Sequence, residues 1–292
     1  MKYSDSPVLR KGWQRCLIFL LLYIVLQQPL IYFLPELFHE TLNASKLLMF
    51  SAALLLSALL AVVLARSFID RKSFISLGIY RTGWKKDGLS GLLLAVFLLC
   101  TGALVLYANK NIFWTDIQMP GGLLSTVFAL LLVAFSEELV FRGYLLQNLM
   151  QSFNKWIALA ISAGLFMVFH LNNPGMNVIS VLNLFLGGML MGLNYIYTRN
   201  LAFAFLFHFG WNIFQGPVLG FAVSGTTLPT LLTMQTKGNP LLTGAGFGFE
   251  GSLICTLVCL IAILLFGAYY EYVFNPKSHH SIQSDNKNVS FR

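Results

Sequence analysis

Charge is scarce in this sequence. Only 10% of its 292 residues are Asp, Glu, Lys or Arg, while 57% are hydrophobic. Soluble globular domains carry roughly 25% charged residues, so this composition excludes a water-soluble domain. It also excludes disordered and fibrous chains, which carry more charge, more Pro or periodic Gly. Cysteine is rarer still. Cys16, Cys100, Cys255 and Cys259 all fall inside apolar runs, which implies packing in apolar surroundings and no disulfide framework. Internal repeats are absent as well.

What the sequence has is length without charge. Arg15 to Glu36 encloses 20 residues free of Asp, Glu, Lys and Arg, Lys46 to Arg66 encloses 19, and Asp87 to Lys110 encloses 22. Asp116 to Glu137 and Glu250 to Glu271 enclose 20 each, Lys155 to Arg199 encloses 43, and Arg199 to Lys237 encloses 37. A bilayer-spanning helix needs about 20 apolar residues, and Asn172-Asn173-Pro174-Gly175 cuts the 43-residue stretch in two. The expected fold is all-α, a polytopic membrane protein with about eight transmembrane helices.

The net charge of +8 orients such a chain. Sixteen of the 19 Lys and Arg residues fall on the side that holds both termini; only Lys46, Lys110 and Lys237 fall on the other. By the positive-inside rule both termini are cytoplasmic. A surplus so distributed gives no reason to expect a nucleic-acid partner. The first apolar run is longer than a signal-peptide core and lacks a small-residue cleavage site, so it reads as a retained anchor. The basic connection 66–87, with Trp84, is expected to lie along the lipid surface. Gly188-Met189-Leu190-Met191-Gly192 is a GxxxG pattern, which permits close helix approach, here expected within the chain.

Polar residues inside the apolar runs are costly and need a partner or a purpose. Ser136-Glu137-Glu138-Leu139-Val140-Phe141-Arg142 follows 20 charge-free residues. Successive helix positions point about 100° apart, so the two carboxylates diverge. Glu138 and Arg142 stand four apart with the acid first, the favourable order for an ion pair. Glu137 lacks such a local partner and is suited to exchanging protons. His170 ends the stretch Phe166-Met167-Val168-Phe169-His170, and His208 stands four residues before Asn212, so their side chains share a face. A carboxylate with an imidazole can hold and deprotonate water, while a second imidazole and an amide can stabilise an oxyanion. No Ser or Cys stands in the context of a nucleophile. Counting about 1.5 Å per residue, Glu137 and His208 fall in the inner half of the bilayer and His170 nearer the outer half.

The three motifs together resemble the CPBP family of intramembrane proteases, also called the Abi or CAAX-protease-like family, which includes the Rce1-type CAAX prenyl endopeptidases. The residues carrying the resemblance are Glu137-Glu138 with Arg142, Phe166 with His170, and His208 with Asn212, in that order over 130–215. Asn173-Pro174, Thr198-Arg199-Asn200-Leu201 and Trp211 are similar to the bacterial branch. The resemblance implies an intramembrane endopeptidase in which Glu137 and His170 activate water. His208 and Asn212 then stabilise the tetrahedral intermediate, and Glu138 with Arg142 buttresses the site. It also leaves open a divalent metal such as zinc, with Glu137, His170 and His208 as candidate ligands. The expected partners are the lipid bilayer and a membrane-associated protein or peptide, in a bacterial inner membrane. The alternatives are a non-catalytic immunity or scaffold protein of the same fold, and a proton-coupled transporter. The chain then divides into helices one to three over 1–120 and a catalytic core over 121–223, its active site within the bundle. An extracytoplasmic loop and helix eight follow over 224–274, then a disordered tail over 275–292. Glu250 is read as a cap on the last helix.

Overall fold

The structure of the protein is a computed structural model that describes residues 6–38, 44–79 and 82–274. The expected tail at 275–292, with Lys277, Lys287 and Arg292, lies outside the described residues, as do Lys2 and Arg81. Each charge-free stretch carries a helix. In chain order these are α1 (Gly12–Phe38), α2 (Ala44–Leu64), α3 (Trp84–Ala108), α4 (Leu123–Glu138), α5 (Lys155–Phe169), α6 (Val178–Thr198), α7 (Ala202–Ile213) and α8 (Leu253–Phe274). Among the described residues five helical stretches are long and apolar enough to cross a membrane: Ala44–Asp70, Trp84–Ala108, Leu123–Leu149, Val178–Thr198 and Leu253–Phe274. Five of the eight expected spans meet that criterion among the described residues. Lys155–Phe169 has only 15 residues, about 22 Å of rise, against the roughly 30 Å of a hydrocarbon core.

Local chemistry sets these ends. Asn154 caps α5, its side chain accepting from the backbone of Trp156 and Ile157, as a helix N-terminus requires. The helix stops at His170, where the Asn-Asn-Pro-Gly break begins. A reciprocal Asn177–Ser180 capping box restarts the chain as α6. Three of the rods end in wider π turns: Ala65–Asp70 after α2, Leu139–Leu146 after α4, and Phe214–Val218 after α7, the last containing Pro217. Such turns are rare and gather at functional sites.

The rods pack pairwise, α2 along α4, α3 along α7, and α6 between α5 and α8. The Gly188–Gly192 face of α6 meets α5 within the chain. A Cβ on Gly188 would lie 3.0 Å from Ala163, and one on Gly192 would strike Leu159. One element departs from the all-helical expectation. Strands β1 (Ile112–Ile117) and β2 (Leu232–Thr236) pair antiparallel, with an irregularity between Trp114 and Asp116. β-branched and aromatic residues in Ile112-Phe113-Trp114-Thr115 favour that conformation, and the Trp114 indole donates to Leu219 O at 2.8 Å.

Two arginines assigned to connections or flanks by the charge count lie inside the protein. Arg15 and Arg66 are fully buried around Asp70. Arg66 Nη1 stands 2.8 Å from Asp70 Oδ2, and Arg15 Nη1 stands 3.6 Å from Asp70 Oδ1. Tyr144 and Asn148, from the α4 continuation, donate to the same carboxylate at 3.3 and 3.4 Å. The connection expected to lie along the lipid is thus partly drawn inward, while Trp84 stays exposed at the start of α3. A buried carboxylate between two guanidiniums avoids the cost of an isolated charge.

Candidate active site

Glu137 and Glu138 close α4 just before its π turn. Their directions diverge and so do their partners. Glu138 is fully buried. Its Oε1 accepts from Arg142 Nη1 at 2.7 Å and lies 2.9 Å from His208 Nδ1. Because a carboxylate oxygen can only accept, the His208 proton on that side is on Nδ1. Arg142 is buried too, and its Nη2 donates to Gly188 O at 3.0 Å, so one planar guanidinium ties α4 to α6. The guanidinium carbon sits 4.7 Å over the Phe166 ring, within cation–π range.

Glu137 faces the other way. Its Oε2 is buried and has no hydrogen-bond partner among the described residues. It stands 3.7 Å from His170 Nε2 and 3.9 Å from His208 Nε2. His170 Nδ1 lies 2.7 Å from Phe166 O, a carbonyl that can only accept. This assigns the Nδ1–H tautomer and turns the Nε2 lone pair toward Glu137. Two acceptors then face each other across a gap too long for a direct hydrogen bond. Phe166 explains its place in the sequence pattern, its ring centroid lying 4.5 Å from the His170 ring and 5.9 Å from the His208 ring.

These groups open on a cavity of about 340 Å³ lined by Glu137, His170, His208 and Asn212. All six candidate residues therefore fall in one region: four line the cavity, and Glu138 with Arg142 sits behind it. The structure brings His170 Nε2 within 3.7 Å of Glu137 Oε2, although counting along the sequence set the two at different depths. Irregular backbone within a membrane protein is tolerated where it lines a cavity, as Asn173 does here. The three candidate metal ligands meet near Glu137 Oε2. Among the described residues, however, no group of three or more His, Cys, Asp or Glu side chains has the arrangement to hold a metal ion.

Sequence reasoning missed several cavity residues, among them Tyr23, Phe141 and Ser224. Nothing in their sequence context marks them, since they are brought in from α1, the α4 continuation and the loop after α7. Glu250 carried a signal that was misassigned. Ser252 caps α8 by accepting from Cys255 N at 3.0 Å. Glu250 Oε2 accepts instead from Ser224 N, Ser224 Oγ and Gln215 Nε2 at 2.9, 2.8 and 3.2 Å, holding that loop against the site.

Residues 119–214 match the family model described as type II CAAX prenyl endopeptidase, Rce1-like. No curated protein matches the chain.

Proposed function

We propose that this protein, whose residues 119–214 match the Rce1-like family model of CAAX prenyl endopeptidases, hydrolyses a peptide bond of a membrane-associated protein or peptide by direct attack of water. The observation that supports this most is the meeting of Glu137 Oε2 with His170 Nε2 and His208 Nε2, at 3.7 and 3.9 Å, on one cavity.

In this mechanism a water sits between Glu137 and His170. Glu137 takes its proton as the oxygen attacks the substrate carbonyl. His208, doubly protonated, donates one N–H to Glu138 and the other to the developing oxyanion, and the Asn212 amide adds a second donor. Glu137 then passes its proton to the leaving amine nitrogen. Glu138 and Arg142 hold His208 and the α4–α6 contact in place, so they act by positioning. No step passes through a metal. The charge distribution supports cytoplasmic termini, and Asn173-Pro174 with Trp211 supports a bacterial inner-membrane setting.

The test is cleavage of a membrane-proximal peptide by the purified protein in detergent. Glu137→Gln is expected to lower the rate about 10²–10⁴-fold, the usual worth of a positioned base, and a chelator to leave the wild-type rate unchanged. Undiminished cleavage by Glu137→Gln would falsify the mechanism. Chelator inactivation reversed by zinc would replace it with a metal-dependent one.

A further inference from the structure

One wall of the catalytic cavity is a short strap. Val223, Ser224, Thr226 and Leu228 all line the cavity, and Val223 and Leu228 pack with Leu130 of α4 and Leu47 of α2. The strap turns at Ser224-Gly225. Val223 N donates to Thr226 O at 2.9 Å, and Thr226 N donates to Val223 O at 2.8 Å. The φ angles of Ser224 and Gly225 are +46° and +86°, and positive φ at both central residues marks a tight two-residue turn. Gly225 adopts that geometry freely. Ser224 does not, and a side chain in the left-handed region persists only where its surroundings hold it.

Glu250 holds it. Its Oε2 accepts from Ser224 N at 2.9 Å, Ser224 Oγ at 2.8 Å and Gln215 Nε2 at 3.2 Å. Gln215 is fully buried and also donates to Ala222 O at 2.7 Å, so the two side chains grip the strap together. The main chain of Glu250 is fixed in turn by α6, where Asn183 Nδ2 donates to Glu250 O and Ser252 O at 2.7 and 2.8 Å. That is the helix whose Gly188 O receives Arg142. The Oε2 partners of Glu250 are all neutral, and no ion pair balances its charge among the described residues. A carboxylate inside an apolar bundle is costly, while a turn of this type forms without one. Charge-assisted bonds are the strong kind, and here they converge on one residue of the cavity wall.

We infer that Glu250 is a positioning residue for peptide cleavage. Acting through Ser224, it fixes the strap, and the strap sets which peptide bond of the substrate lies at Glu137. Thr226 is the strap's own contact for the substrate backbone, since its hydroxyl lines the cavity and has no hydrogen-bond partner among the described residues. The inference rests on the peptidase reading above and on no particular orientation in the bilayer.

The test is steady-state cleavage of a membrane-proximal peptide by the purified full chain in detergent, with the product ends identified by mass spectrometry. Glu250→Ala is expected to raise KM about tenfold, the mark of a lost binding contact, and to add cuts at bonds beside the wild-type one. Glu250→Gln should recover most of both, because an amide oxygen can accept the same three bonds. Ser252→Ala removes the cap of α8 close by. It is expected to lower the thermal midpoint and to leave KM and the cut position as in the wild type. Loss of kcat alone in Glu250→Ala, with KM and cut position unchanged, overturns the inference, since a smaller folded fraction explains it. Where Glu250→Ala does not accumulate, Ser224→Ala decides, because it keeps the amide bond to Glu250 and loses the hydroxyl bond. It is expected to shift KM and cut position in the same direction, and no shift overturns the inference. Absence of cleavage by the wild type overturns the peptidase reading itself.

Discussion

Glu137 and Glu138 are neighbours, yet Glu138 Oε1 receives Arg142 and His208 while Glu137 Oε2 faces two imidazoles across a gap. Glu138 and Arg142 are both buried, so neither charge is expendable without its partner. Arg142→Met leaves the carboxylate with His208 alone. Breaking a buried pair from one side typically costs about 3–5 kcal/mol. A clear fall in the thermal midpoint of the detergent-solubilised protein is therefore expected, and an unchanged midpoint contradicts the pairing. Arg142→Lys should fall between, because an ammonium lacks the planar fork that reaches Glu138 and Gly188 O together. The Glu138–Arg142 contact was legible as a four-residue spacing. The Glu138–His208 contact was not, since its partners lie 70 residues apart and only helix packing joins them.

At the scale of elements, α5 and α6 decide the site's precision. Their crossing brings Gly188 against Ala163, and the carbonyl of that same glycine receives Arg142. Gly188→Ala inserts a methyl where backbone atoms already stand 3.0 Å away. Overpacking of this kind costs about 1–3 kcal/mol, and it displaces the Arg142 acceptor. Gly188→Ala should lower the thermal midpoint and the cleavage rate, whereas Gly187→Ala, which meets nothing within 4 Å, should change neither. Equal effects from the two variants would argue against the close crossing. The GxxxG pattern showed that an approach was possible; it did not say which helix would approach. The short α5 is a similar case. Its sequence carries both the Asn154 cap and the break after His170, but charge gaps alone count such a helix as a full span.

For the whole molecule, the knot of Arg15, Arg66 and Asp70 ties α1, the end of α2 and the α4 continuation into one body. Asp70→Asn leaves two guanidiniums buried with less compensation, so a loss of about 3–5 kcal/mol is expected. Arg66→Met added to Asp70→Asn should recover part of it, and a double variant less stable than Asp70→Asn would refute the coupling. Taken by itself, the sequence determined that the chain lives in a membrane, which helices it forms, and which six polar residues demanded an explanation. These follow from composition and local periodicity, because burying charge in lipid is costly wherever the chain turns. Only the tertiary structure decided that Glu138 serves His208 while Glu137 faces the cavity, and that Asp70 gathers two arginines. Those outcomes depend on which helix faces lie against one another, and residues tens of positions apart carry no local trace of it.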